Sequence, residues 1–441
     1  MIVDTPIADF VRHYAASDTV RLHMPGHKGR TFLGCEAMDI TEITGADALY
    51  EASGIIRRSE ENAATLFGSA ATWYSTEGAS QCIRAMVYLA LMCRPAGTPP
   101  VIAAGRNAHK SFLYAAALAD AEIQWLWPEK RGSLCACEIT PAGLEAALDE
   151  MDAAPAAVYI TSPDYLGGRA DIAGLAEVCR RRGTILMVDN AHGAYLHFLD
   201  PPAGPLDGGA AVCCDSAHKT LPVLTGGAYL HIGKNAPAAY AENARNAMAV
   251  FGSTSPSYLT LASLDLCNRY LAEGYPARLR RTAERIGEAR ARLREQGWLV
   301  EISDPMRITL RGDGAAIAAR LRRGDLEPEF SDRDHAVMML TPENSPKELS
   351  RIPEALGSND LPQKDTPSLP LARGERVCSL RQALFSPCQT VPVEKALGRV
   401  CGAPTVSCPP AVPIAVSGER IGAEAVALFR YYGVENVAVL L

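Results

Sequence analysis

No stretch of this 441-residue chain approaches the ~20 consecutive apolar residues that a membrane-spanning helix requires. Its opening, Met1-Ile2-Val3-Asp4-Thr5-Pro6, has neither the basic lead nor the apolar run of a secretory signal. These two absences predict a cytosolic protein without a membrane partner. A basic surplus is missing too: 43 Lys and Arg against 50 Asp and Glu give a net charge of −7. The cations are spread along the chain, so no footprint for nucleic acid is present. The 13 cysteines include no C-x-x-C pair and, apart from Cys135/Cys137 and Cys213/Cys214, are scattered. That pattern predicts no metal site and no thioredoxin-like site, and leaves reduced, mostly buried small hydrophobes. Repeats and low-complexity tracts are lacking as well.

What remains is an ordinary globular composition, 48% hydrophobic and 21% charged, in a chain long enough for two to three domains. Between Pro100 and Asp200 short apolar runs alternate with helical ones. Val101–Ala104, Glu122–Leu126, Ala157–Ile160 and Thr184–Val188 read as strands, and His109–Leu118, Pro141–Met151 and Ile172–Arg182 as helices. Continuous apolar strands separated by helices imply a mainly parallel sheet buried on both faces. Before this region, helices are expected over 6–20 and 58–67. After it come a strand over 224–231, a long helix over 275–296, and a smaller α/β unit with strands over 298–302, 306–310 and 336–340 and a helix over 314–323. Residues 357–365 have linker composition, and a proline-rich segment follows. The domains expected are an N-terminal arm (1–45), a large domain (46–268), a small α/β domain (269–357), and a linker with a C-terminal α+β domain (358–441).

In a parallel sheet, ligands collect at the carboxyl ends of the strands. Three polar clusters sit there: Arg106-Asn107-Ala108-His109-Lys110-Ser111, Thr161-Ser162-Pro163-Asp164-Tyr165 and Asp189-Asn190-Ala191-His192-Gly193. Asp189 follows an apolar run and should be nearly buried, so its carboxylate needs a charged or hydrogen-bonding partner; a helix cap would also satisfy it. Gly78-Ala79-Ser80 opens a helical stretch, and such a start offers backbone N–H groups and a hydroxyl to an anion, although Gly and Ser are equally ordinary N-cap residues. The loop Arg21–Gly29, with two histidines and a lysine around Pro25-Gly26, reads as a surface turn or as the lining of a site.

About thirty residues after Asp189 stands Ser216-Ala217-His218-Lys219-Thr220-Leu221-Pro222. A lysine there, an acid at a strand end and an anion-binding helix start are what pyridoxal 5'-phosphate requires. Lys219 would form the Schiff base, its amine made nucleophilic by desolvation. Asp189 would pair with the pyridine nitrogen, and Gly78, Ala79, Ser80, Ser216 and His218 would hold the phosphate. A flat group must cover the ring, and His109 and His192 are both available.

These segments, with His23-Met24-Pro25-Gly26-His27-Lys28-Gly29, Ser75–Ser80, Thr254-Ser255-Pro256-Ser257-Tyr258, Ala396–Val400 and Pro409–Pro413, resemble the short form of the ornithine/lysine/arginine decarboxylases, of the aspartate-aminotransferase fold (fold type I). The resemblance runs over nearly the whole chain, and its R-N-x-H-K-S and S-x-H-K elements are the more specific. It implies that His109 stacks on the ring, with His192 beside it, that Asp189 binds the ring nitrogen and that Lys219 carries the cofactor. It also implies that Ala79, Ser80, Ser216 and His218 hold phosphate, and that Thr254 or Ser255 reaches the cofactor of a neighbouring subunit, hence an obligate homodimer. The activity implied is α-decarboxylation of arginine, lysine or ornithine to a polyamine or its precursor. Alternatives on the same residues are transamination and a non-catalytic regulatory role. The chain departs from the family pattern at Glu77 (commonly Asn), Ala79 (Thr), Asp164 (often Thr), and Cys408, Ala411 and Ser417 in the tail. Glu77, Asp164 and Glu419 are the acids considered for the distal cation of the substrate.

Overall fold

The computed structural model describes residues 3–129, 132–301, 304–362, 372–404 and 411–441. Its contacts group the chain into two compact units, Met1–Thr98 with Ala156–Tyr159 and Ile172–Arg278, and Pro99–Pro155 with Ile160–Asp171 and Leu279–Leu441. In chain order the first elements are α1 (Pro6–Ala15), α2 (Ile55–Leu66), β1 (Ala71–Ser75), α3 (Ala79–Met92), β2 (Val101–Gly105), α4 (Lys110–Leu118), β3 (Glu122–Leu126), α5 (Pro141–Asp149), β4 (Ala157–Thr161) and α6 (Ile172–Arg181). Next come β5 (Leu186–Asp189), β6 (Val212–Asp215), α7 (Ala217–Thr220), β7 (Ala228–Ile232), α8 (Ala238–Val250), α9 (Tyr258–Ala272) and α10 (Tyr275–Glu295). The seven strands form one sheet in the order β1-β7-β6-β5-β4-β2-β3. Parallel pairing is seen for β2 with β3 and for β5 with β6, while β7 runs antiparallel to both β6 and β1. Every residue of β5, β6 and β7 is buried, as expected for strands covered on both faces. This is the α/β architecture of fold type I.

In the first unit, α3 is buried nearly all round, with Cys82, Ala85, Met86, Val87, Leu89 and Ala90 fully inside, which marks it as a central helix. A polar network ties the first helices together. Asp265 on α9, fully buried, accepts the backbone N–H groups of Ile7 and Ala8 at 2.9 Å each and the hydroxyl of Ser59. Ser59 and Tyr74 share a 2.8 Å hydrogen bond, and Asn268 donates to Tyr74 at 2.8 Å. Burial pushes the Asp265 carboxyl up to about 6 against these donors. The network thus joins α1, α2, β1 and α9.

In the second unit, β8 (Leu299–Glu301), β9 (Arg307–Arg311), α11 (Gly314–Arg323), β10 (Phe330–Ser331), β11 (His335–Met339) and α12 (Pro346–Leu356) make an antiparallel sheet, ordered β10-β11-β9-β8, with its helices. α12 starts on a capping box between Ser345 and Glu348. The tail contributes α13 (Leu380–Leu384), β12 (Cys388–Pro392), α14 (Ala423–Tyr431) and β13 (Asn436–Leu440), with β12 and β13 paired antiparallel. Val393, Cys401, Ile421, Phe429, Val437 and Val439 form its core.

Several sequence expectations shift. The first helix stops at Ala15 rather than at 20, because the Ser17 hydroxyl takes the Tyr14 carbonyl, a local bond that competes with helix. The strand expected over 224–231 begins only at Ala228: Gly227 closes a turn on the Leu224 carbonyl at 3.0 Å and Gly226 sits at φ +96°. Strands β1 and β6 were not anticipated. Ile302, Gln363–Asp365 and Cys408–Pro410, which carried expectations, lie outside the described residues. Among the described residues there are twelve cysteines, and eight of them are buried. No described helix is long and apolar enough to cross a membrane.

Candidate active site

In the first unit, β5 ends on Asp189 and the neighbouring β6 on Asp215, so both carboxylates stand at the same end of adjacent parallel strands. Asp189 is 2% exposed. Its Oδ2 accepts the Tyr159 hydroxyl at 2.9 Å, and its Oδ1 accepts the Ala191 backbone N–H at 3.1 Å and faces the Cys214 thiol at 3.8 Å. Burial, and then the nearby Asp189 charge, hold the Tyr159 phenol and the Cys214 thiol well above their ordinary ranges, so both remain donors. The partner required by the buried acid is therefore a phenol and a backbone amide, not a helix cap.

Asn190 laces the strand ends together. Its N–H donates to the Cys214 carbonyl at 3.0 Å and its Nδ2 to Asp215 Oδ1 at 2.6 Å. Asp215 Oδ2 lies 3.3 Å from His231 Nε2, and His231 Nδ1 is 2.8 Å from the Thr72 hydroxyl. A buried polar line thus runs across β5, β6, β7 and β1, fixing the backbone on either side of Asp189 and Ser216.

After β6 the chain makes the single turn of α7. Buried Ser216 precedes it and accepts the Lys219 N–H at 3.0 Å. The half-buried Lys219 points its Nζ to within 2.7 Å of His192 Nε2. His218 Nδ1 donates to the Gly227 carbonyl at 2.9 Å, which fixes its ring. That ring lies beside Gly78, where an added Cβ would stand 4.0 Å from His218 Cε1. Gly78, at φ +72°, opens α3, and its N–H is bound to the Gly226 carbonyl at 2.7 Å. Ala79 is buried and Ser80 half-buried. One residue on, Gln81 accepts from Ser75 at 2.6 Å and donates to Tyr50 at 2.7 Å and to the Met248 carbonyl at 2.8 Å. Gly252 packs so tightly on this group that a Cβ would fall 1.7 Å from the Tyr50 hydroxyl. The loop after it exposes Thr254 and Ser255, and the exposed Glu77 accepts the Ser253 N–H.

The first unit therefore gathers Gly78, Ala79, Ser80, Asp189, His192, Ser216, His218 and Lys219 on one set of neighbouring strand ends. These residues fit pyridoxal phosphate. A buried carboxylate held by neutral donors suits a cationic ring nitrogen, an amine stands on the following strand end, and a helix of 14 residues opens beside a histidine whose ring is fixed. Among the described residues no cluster of metal ligands occurs.

His109 belongs to the second unit, where it precedes α4 and its ring accepts the Ser111 N–H at 3.1 Å. Asp164 is buried there and accepts the N–H groups of Leu166 and Gly168 at 2.9 and 2.8 Å; burial pushes it up to about 6. Glu419 accepts the Val416 N–H at 2.9 Å and faces Arg106 at 3.8 Å. Asp164 and Glu419, two of the three acids considered for the substrate cation, are thus engaged by their own surroundings, and the third, Glu77, by the Ser253 N–H. Sequence reasoning missed Tyr159, Gln81, Tyr50 and the Asp215–His231 pair. The available signal was a tyrosine inside an apolar strand, since a buried phenol needs a partner.

Residues 5–344 match the family model described as Orn/Lys/Arg decarboxylase, major domain. The chain belongs to the Orn/Lys/Arg decarboxylase family. It is accordingly a pyridoxal-phosphate-dependent amino-acid decarboxylase. Similar proteins include the uncharacterized protein YaaO of Bacillus subtilis (strain 168), 28% identical over 459 residues and covering 96% of this chain and 93% of that one. The arginine decarboxylase of the same organism is 28% identical, covering 96% and 92%. Among solved structures, the Francisella novicida lysine decarboxylase LdcF superposes with a TM-score of 0.78 at 16% identity, covering 100% of this chain and 81% of that one, a likeness of fold.

Proposed function

We propose that this decarboxylase removes the α-carboxylate of arginine, giving carbon dioxide and the corresponding guanidino amine, a polyamine precursor. The observation that carries the reading is the Lys219 amine set 2.7 Å from His192, on the strand end next to buried Asp189. The choice of arginine rests on full-length similarity to proteins named arginine decarboxylases. Pyridoxal phosphate, when bound, supplies an aldehyde for amines and a ring that takes up the electron pair left at Cα. Asp189 would hold the ring nitrogen protonated, with Tyr159 and the Ala191 N–H orienting its carboxylate. The N–H groups at the start of α3, with Ser80, Ser216 and His218, would bind the phosphate, while His109 would cover the ring face with His192 beside it. Lys219 would bind the cofactor, and its Nζ, relayed by His192 Nε2, would return the proton to Cα. A second copy would bring Thr254 or Ser255 to the neighbouring site, making a homodimer the working form. Incubation of the purified protein and pyridoxal phosphate with arginine, lysine and ornithine, with product masses read directly, tests this. Carbon dioxide from lysine or ornithine alone would refute arginine as substrate, and none from any of the three would refute basic amino-acid decarboxylation altogether.

A further inference from the structure

Two segments singled out by sequence but given no task in the chemistry meet in the second unit. One is Arg106, which opens the motif containing His109. The other is the tail segment 411–419, ending in Gly418-Glu419. Arg106 is 7% exposed. Its Nη1 donates to the Pro413 carbonyl at 2.8 Å and its Nη2 to the Ile414 carbonyl at 2.9 Å. Its guanidinium lies 5.0 and 5.6 Å from the ring centres of Trp125 and Trp127 and 3.8 Å from Glu419 Oε2. A planar fork that binds two successive carbonyls while facing indole rings is a geometry lysine cannot reproduce. Glu419 is placed in turn by the Val416 N–H and by Gly418, at φ +90°, where a Cβ would come within 2.6 Å of the Cys378 carbonyl oxygen.

The clamp reaches His109 through the backbone. The Lys110 N–H, the first unpaired donor of α4, bonds the Ala411 carbonyl at 3.1 Å, while the next donor, Ser111 N–H, bonds the His109 ring. The tail and the His109 side chain therefore divide the start of α4 between them, and the tail is held there by Arg106.

We propose that Arg106 and Glu419 are positioning residues for His109, clamping the tail segment 411–419 against the start of α4 so that the His109 ring is held in one orientation. This rests on the reading of His109 as the residue covering the cofactor ring. The test is a double-mutant cycle on the full-length protein: Arg106→Gln, His109→Ala and the pair, with Glu419→Gln in place of Arg106→Gln should the latter fail to fold. The readouts are the visible circular dichroism of bound pyridoxal phosphate and the cofactor dissociation constant, with thermal unfolding alongside. The expected result is a roughly tenfold weaker dissociation constant and a dichroic band at least halved in Arg106→Gln, with little further change when His109 is already Ala. Equal effects in both backgrounds would mean a general structural role and would overturn the proposal. If Arg106→Gln changes neither readout while His109→Ala changes both, the proposal fails and the His109 reading stands. If His109→Ala itself changes neither, the His109 reading fails, and the proposal with it.

Discussion

Replacing Asp189 by Asn probes the charge at the centre of the site while leaving its shape. The side chain is 2% exposed and its oxygens are held by Tyr159 and the Ala191 N–H. An amide of equal size keeps an acceptor for one donor, and the tyrosine hydroxyl can turn to accept from the new NH2 group. Folding should therefore be nearly unchanged. What is lost, on the proposed reading of Asp189 as the partner of the cofactor nitrogen, is a buried negative charge. Breaking a buried pair by removing one partner costs about 3–5 kcal/mol, which at ~1.4 kcal/mol per factor of ten predicts a fall in kcat/KM of roughly 10²–10⁴-fold. The assay is carbon dioxide release from arginine, with thermal unfolding measured beside it. A loss below about fivefold in a normally folded variant would refute the idea that the Asp189 charge keeps the ring nitrogen protonated.

Ala411 sits at φ +58°, where a Cβ costs roughly 1–2 kcal/mol and glycine forfeits about 0.5–1 kcal/mol through unfolded-chain entropy. Ala411→Gly should thus stabilise the clamp by about 0.5–1 kcal/mol, seen as a two- to fivefold slower hydrogen exchange of the Lys110 amide; faster exchange would contradict the strain. Gly252→Ala should cost about 1–3 kcal/mol from overpacking on Tyr50 and Gln81, lowering the melting temperature and weakening cofactor binding through the start of α3, and a variant indistinguishable from the parent in both would disprove this. Buried Glu60, despite its 2.6 Å bond to Arg245, has its carboxyl pushed up to about 7 by burial. The native state then binds a proton that the unfolded chain has released, so this group's contribution falls as pH rises from about 4.5 to about 7. Glu60→Gln should flatten that part of the melting-temperature profile, and an unchanged slope would rule the group out.

The residues proposed to hold the cofactor stood out because their spacing encodes strand ends. Asp189 ends an apolar run and Lys219 follows the next strand, whose short Val-Cys-Cys-Asp gave no clear period of its own. β1 escaped because its Trp-Tyr pair leads straight into the polar turn before α3. Tyr159 read as a strand former, and only its pairing with Asp189 gives it a further role. Arg106 and Glu419 stood out as motif residues, but their union spans more than three hundred positions and no local pattern carries it. Glu419 and Asp164, considered for the substrate cation on charge alone, are satisfied within the second unit by backbone N–H groups two to four residues away, in turns whose geometry charge alone does not reveal.

The buried network of Ser59, Tyr74, Asp265 and Asn268 bears on how sequences of this kind can diverge. Each member satisfies at least one other, so losing any one strands a buried polar partner at about 1–3 kcal/mol, whereas exchanging the set together is close to neutral if position 265 keeps an acceptor for the Ile7 and Ala8 N–H groups. Single steps away from the set are penalised and the joint step is not. Descent with modification should therefore leave these four positions either intact or replaced together, an inheritance unit scattered over more than two hundred residues of chain.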